Sequence, residues 1–130
     1  MLKRTLLALP LTAALAIGIT APAGAAGGSL KHGVYDCEAY NAATGFLDYR
    51  GSVKLLAHGR YQQSTARHGG KLTKPHTGKY HVKSGWIKFT GVLKKSPGKI
   101  TKASATRSAF FSFYVHGQSQ HEACYYVANP

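Results

Sequence analysis

Two cysteines stand at opposite ends of the part of this chain that can fold, Cys37 near its start and Cys124 near its end. Whether they bridge depends on compartment, and the first residues speak to that. Lys3 and Arg4 give a positive start. An apolar run follows from Leu6 to Ile19, broken only by Pro10, Thr12 and Gly18. Small residues come next, and Ala21-Pro22-Ala23 and Ala23-Gly24-Ala25 both fit the small-x-small cleavage rule. The pattern predicts a secretory signal peptide over residues 1–25, cleaved near Ala23–Ala26. The alternative is a membrane anchor. The run is short and Ala-rich for a span, and no cysteine follows the cleavage region to take a lipid. No other segment is long and apolar enough to cross a bilayer. Export, whether extracellular or periplasmic, places Cys37 and Cys124 in an oxidising compartment, where an even pair is expected to bridge. The alternatives are two free thiols or a metal site, and two isolated cysteines make a poor zinc site. A bridge would close the loop from Glu38 to Ala123 and restrict the unfolded chain by about 4 kcal/mol in the entropy picture.

What remains of the 130 residues, taken as 30–130, is expected to form one domain with one core. No convincing helix follows the leader. Gly, Thr, Ser, Tyr and β-branched residues come in short alternating runs broken by turn residues, which argues for an all-β domain. Candidate strands fall near 33–40, 46–57, 60–65, 78–83, 86–93, 101–107, 109–115 and 122–127. Residues 66–76 and 94–99 read as loops, the second with turn chemistry at Pro97-Gly98. Gly33-Val34-Tyr35, Gly59-Arg60-Tyr61 and Gly78-Lys79-Tyr80 form a small internal echo, G-x-Y at three strand starts. Eight short strands can make a sandwich or a closed barrel. A bridge between the first and last strands needs their Cα atoms within about 7 Å. An up-and-down barrel makes those strands neighbours and removes both sheet edges, so it is favoured over a sandwich.

The residues "GVYDC" at the start, the G-x-Y strand starts, "GWIKFTG" in the middle and "ACYY" at the end resemble a loose group of small secreted bacterial β-barrel proteins. Thr77-Gly78-Lys79-Tyr80 followed by Trp86 also resembles the periplasmic lysozyme-inhibitor barrels, which share this chain's size, export and disulfide use. Their inhibitory stretch carries a serine before the glycine, where this chain has Thr77. Lysozymes are usually cationic, so this chain's charge would repel them. What the resemblance implies is the barrel.

That charge is +13 in formal terms, and removing Lys3 and Arg4 leaves 13 − 2 = +11. The four acids are Asp36, Glu38, Asp48 and Glu122; between Tyr49 and His121 stand fourteen Lys and Arg and no acid. Such a field attracts polyanions. The bland alternative is a solubilising surface.

The stretch from Thr77 to Gly91 gives the charge a geometry. With Ser84-Gly85 as a two-residue hairpin turn, Lys83 faces Trp86, Val82 faces Ile87, His81 faces Lys88 and Tyr80 faces Phe89. Side chains alternate, so Tyr80, Val82, Ile87 and Phe89 share a core face. Lys79, His81, Lys83, Trp86, Lys88 and Thr90 share the other. Trp86 is expected on that outer, basic face. It either packs on the Lys83 stem or offers a flat platform on which rings stack while lysines hold anionic groups. Lys54, outward on its own strand, joins the same set. The strand "SAFFSFYVH" is apolar on both sides, so Phe110, Ser112 and Tyr114 could form a contact surface.

Catalytic and metal constellations are weak. His116 and His121 flank "GQSQ", with Glu122 beside them, which gives three ligands at most and no recognised spacing. His121, Glu122 and a nearby arginine give the acid, base and cation of a ribonuclease-like site, the enzymatic alternative, as nearly any basic β protein would. Carboxylates are too scarce for a glycosidase pair, and no phosphate loop or nucleophile elbow is present. The expectation is a secreted, non-enzymatic, monomeric barrel, with no catalytic residue, cofactor or metal. It would bind an anionic polymer (an envelope polymer, acidic polysaccharide or nucleic acid) or an anionic lipid surface through Trp86, Lys79, His81, Lys83, Lys88 and Lys54. The alternatives are a barrel holding a small apolar ligand among Tyr80, Phe89, Phe111 and Phe113, or an inhibitor or effector of another secreted protein.

Overall fold

A computed structural model describes residues 30–114 and 121–130. Eight strands follow one another around a closed antiparallel barrel: β1 (Gly33–Asn41), β2 (Phe46–Leu56), β3 (Arg60–Thr65), β4 (His76–Lys83), β5 (Trp86–Phe89), β6 (Gly98–Thr101), β7 (Phe110–Tyr114) and β8 (His121–Ala128). Each pairs with the next, and β8 returns to β1. Cys37 and Cys124 lie directly opposite each other in that last pairing, with Cα atoms 4.0 Å apart, and are joined as a disulfide. The bridge locks the closing seam from inside the barrel, where both residues are buried.

Alternation sets the core. Tyr35, Val53, Leu55, Tyr61, Ile87 and Phe111 are wholly or almost wholly buried. Phe111 touches Tyr35, Phe89 and Phe113 with ring centroids 5.3, 6.1 and 6.0 Å away. Offset and tilted contacts of this kind add to the area each ring buries. At two of its three sites, Gly33 and Gly78, the G-x-Y echo has a packing reason. A Cβ on Gly33 would lie 2.5 Å from the Tyr126 ring, and one on Gly78 would lie 2.5 Å from the Tyr61 ring. Each glycine thus admits an aromatic ring from a neighbouring strand, as rings commonly cover strand glycines. The echo's tyrosines, Tyr35 and Tyr61 fully and Tyr80 partly, fill the interior.

Several strand limits differ from expectation. β2 ends at Leu56, because the chain turns through Ala57–Gly59 with His58 at φ +61°. β4 starts earlier, at His76, where it pairs with Gln63. β5 stops at Phe89, because Gly91 at φ +70° opens a 3-10 turn closed by Lys94 N–H donating to the Gly91 carbonyl. β6 is Gly98–Thr101 and not 101–107. The turn before it is completed by Ser96 N–H on the Leu93 carbonyl, one step earlier than Pro97-Gly98. Gly98 is then free to start the strand, and its bare Cα makes room for Ile87 and Phe111. Residues 102–108 are exposed and connect β6 to β7 at one end of the barrel, and Ala109 is the first residue of the connection to be buried.

An up-and-down course sends alternate connections to alternate ends. The Ser84-Gly85 turn, the 102–109 loop, the approach to β1 and the end of β8 therefore share one end, the mouth. The β1–β2 hairpin and the 66–75 connection share the other. That connection is pinned by an Ala66–Leu72 bridge and by Thr65 N–H on the Thr73 hydroxyl, 3.0 Å.

Candidate functional site

The β4–β5 hairpin is built as the alternation requires. Ser84 at φ +52° and Gly85 at φ +78° form the tight turn, and positive φ at both positions matches the twist of the flanking strands. Lys83 pairs with Trp86, Val82 with Ile87, His81 with Lys88 and Tyr80 with Phe89. The register continues past the strand end, where Thr90 N–H donates to the Lys79 carbonyl and Lys79 N–H to the Thr90 hydroxyl. Ile87 and Phe89 are buried; Lys79, His81, Lys83, Trp86 and Lys88 are exposed.

Two further cations join this face that the sequence reading left out. Arg60 of β3 lies opposite Lys79, and Lys99 of β6 lies opposite Trp86. Trp86 therefore stands in a row between Lys83 and Lys99, 41% exposed. Among the described residues the cations that stand over aromatic rings are Lys31 and Arg107, so the Trp86 face is not capped in this way by Lys83. Lys99 was hidden because its neighbourhood reads as a turn; the alternation Gly98-Lys99-Ile100-Thr101 was the available signal. Lys54 lies apart. It is on β2, opposite Gln62, which in turn faces Thr77 of β4, so a strand separates it from the ribbon.

The remaining candidates fall elsewhere. Phe110 is half-covered: its ring packs on Tyr125 at 4.7 Å, and Arg107 lies over both, 5.6 and 5.4 Å from the ring centroids. Ser112 is half-buried and Tyr114 is exposed beside His121, 4.7 Å between rings. Tyr114 is as exposed as Leu47, and Phe46, Leu47 and Tyr40 form a second group of exposed apolar residues at the β1–β2 hairpin. Phe89, Phe111 and Phe113 pack on one another with 6%, 0% and 3% exposure, so their own rings occupy the space between them, and Phe113 also borders a small cavity at the end away from the mouth.

His116 lies outside the described residues. His121 and Glu122 point to opposite sides of β8, His121 outward and Glu122 into the barrel, so adjacency in sequence does not bring them to one face. Glu122 is 8% exposed and lines a small cavity with Arg50, Gln63 and Ser64 at the end away from the mouth. Burial pushes its carboxyl above the ordinary range, and the charge of Arg50 works against that rise. No group of three or more metal-binding side chains gathers among the described residues, and no helix there is long and apolar enough to cross a membrane.

The mouth holds a larger cavity of about 410 Å³, bounded by the 102–109 loop, Lys31, Tyr35 and Tyr126. Tyr35 donates its hydroxyl to the Lys31 carbonyl, 2.8 Å, and burial raises its pKa to about 12, so the donor keeps its proton. Comparison of this chain with family models, with curated proteins and with solved structures finds no match.

Proposed function

We propose that this is a secreted protein that binds an anionic polymer across the outer face of β3–β6. The observation that carries the reading is the row Lys83–Trp86–Lys99, an exposed indole between two lysines, with Lys79, His81, Lys88 and Arg60 on the same face. Strands β3 to β7 contain no carboxylate, so nothing on them competes with an incoming anion. Multipoint ion pairing supplies affinity, and stacking on Trp86 adds about 1–3 kcal/mol where the polymer offers a flat ring. The ring-filled interior favours this surface over an internal apolar site. The reading implies no cofactor and no covalent step.

The test follows Trp86 emission while heparin, polyphosphate and single-stranded DNA are titrated into the oxidised protein. The expected result is a saturable shift with at least one polymer at low salt that disappears as salt rises. Lys83→Ala with Lys88→Ala should weaken binding about tenfold and flatten the salt dependence. Binding unchanged by that pair, or no shift with any polymer, would reduce the ribbon to a solubilising surface.

A further inference from the structure

We propose that the mouth of the barrel is a binding site for one anionic sugar unit, a monosaccharide carrying a phosphoryl or carboxylate group. This goes beyond the ribbon and does not depend on it. The cavity there, about 410 Å³, lies within the range that ligand sites occupy, roughly 300–1,000 Å³, and suits a single sugar ring with one charged substituent. Two cations, Lys31 and Arg107, line it, and no carboxylate of the described residues does. Both are held in place. The Arg107 guanidinium lies over the Phe110–Tyr125 pair, and the Lys31 ammonium lies 5.5 Å from the Tyr126 ring centroid. Contacts with ring faces restrain a cation while leaving its N–H groups able to donate. Tyr35 further ties the Lys31 backbone to the barrel wall through its hydroxyl.

The rest of the lining fits the body of a sugar. Tyr126, half-buried and braced edge to face by the buried Tyr35 ring, 5.7 Å between centroids, gives an aromatic floor. Ser104 and Ser108 bring hydroxyls from the loop, whose turn is fixed by Ser104 N–H on the Arg107 carbonyl, 2.8 Å. A bare phosphate would leave most of this volume and the aromatic floor unused. A neutral sugar would leave both cations unpaired.

Glucose 6-phosphate and glucuronate, with glucose and inorganic phosphate as controls, are titrated into the oxidised protein while the backbone amides from Ser104 to Ala109 are followed by NMR. At least one charged sugar should saturate those shifts, at least tenfold more tightly than either control. Which of the two binds tells a phosphoryl from a carboxylate partner. Arg107→Ala should weaken binding at least tenfold, and Ala105→Trp, which keeps both cations but fills the cavity, should do the same. Should either variant lose the dispersed spectrum of a folded protein, Lys31→Ala replaces it. Four results would each overturn the proposal: neither charged sugar binds, glucose binds as tightly, phosphate alone binds as tightly, or a folded variant binds like the parent. Polymer binding lost through Lys83 and Lys88 bears on the ribbon; sugar binding lost through Lys31 and Arg107 bears on the mouth, so the two can fail separately.

Discussion

The two sides of this barrel handle charge in opposite ways. All four acids lie on the closing side, Asp36 and Glu38 on β1, Asp48 on β2 and Glu122 on β8. There Asp36 and Asp48 meet partners. Asn41 donates to Asp48 at 2.9 Å, Arg50 stands 4.0 Å from the same carboxylate, and the Tyr49 hydroxyl donates to Asp36 at 3.4 Å. The far side, β3 to β6, carries Arg60, Lys79, Lys83, Lys88 and Lys99 with no carboxylate on any of its strands. Arg60 even sits directly opposite Lys79. Like charges facing each other across an antiparallel pair destabilise the sheet. One side of the fold is therefore arranged for closure and compensation, and the other bears a repulsion that closure does not need.

Breaking the seam should give the largest effect. Cys37→Ala with Cys124→Ala removes the bridge between β1 and β8 and should lower unfolding stability by about 2–5 kcal/mol. Urea denaturation measures this. Polymer affinity, read where the variant is still folded, should stay within about twofold, because the disulfide lies inside the barrel and across from the ribbon. A loss of affinity in the folded variant would join the two sides and end the comparison.

Much of this division was legible beforehand, and the reasons are physical. Lys79 to Phe89 alternates so strictly around Ser84-Gly85 that turn and strands dictate one register. The position of Cys37 and Cys124 made the seam readable, since a bridge between end strands demands that they be neighbours. Lys99 was masked by a stronger turn signal, and the mouth was not readable. Pro97-Gly98 carries strong turn chemistry, yet the turn is made by Gly91 to Ser96, and only the tertiary fit of Gly98 against Ile87 and Phe111 starts the strand there. The cavity is assembled from Lys31, Tyr35, the 102–109 loop and Tyr126, which are brought together only by closure. The inward turn of Glu122 was likewise hidden, because nothing in "HEACYY" says which of its alternating faces lines the barrel.

Glu122 offers a smaller test of the seam. Burial raises its folded pKa above the ordinary 4.5, against the opposing charge of Arg50. A raised carboxyl holds its proton more tightly in the fold than in the unfolded chain. Its contribution to stability is thus fully present below about 4.5 and is lost as pH rises through the folded value. Glu122→Gln cannot ionise, so the stability difference between variant and parent should grow in the variant's favour from pH 4 to pH 7 and then level off. Taking the difference cancels the histidines common to both proteins. A difference that stays flat would mean that the carboxylate is fully compensated inside the barrel.

The mildest change separates the two sides most sharply. Lys79→Glu turns the Arg60–Lys79 repulsion into an attraction between directly opposed residues. Cross-strand charge pairs are worth roughly 0.2–1 kcal/mol, so the variant should be more stable by about that amount in thermal or urea unfolding at low salt. The same change takes a cation from the ribbon and puts a carboxylate in its place, so heparin or polyphosphate should bind it several-fold more weakly. Stability rising while binding falls is the signature of a residue kept for an external anion. If both rise, Lys79 lies outside the binding face. If both fall, its aliphatic stem packs against the sheet, and the ribbon then contributes to the fold as the seam does.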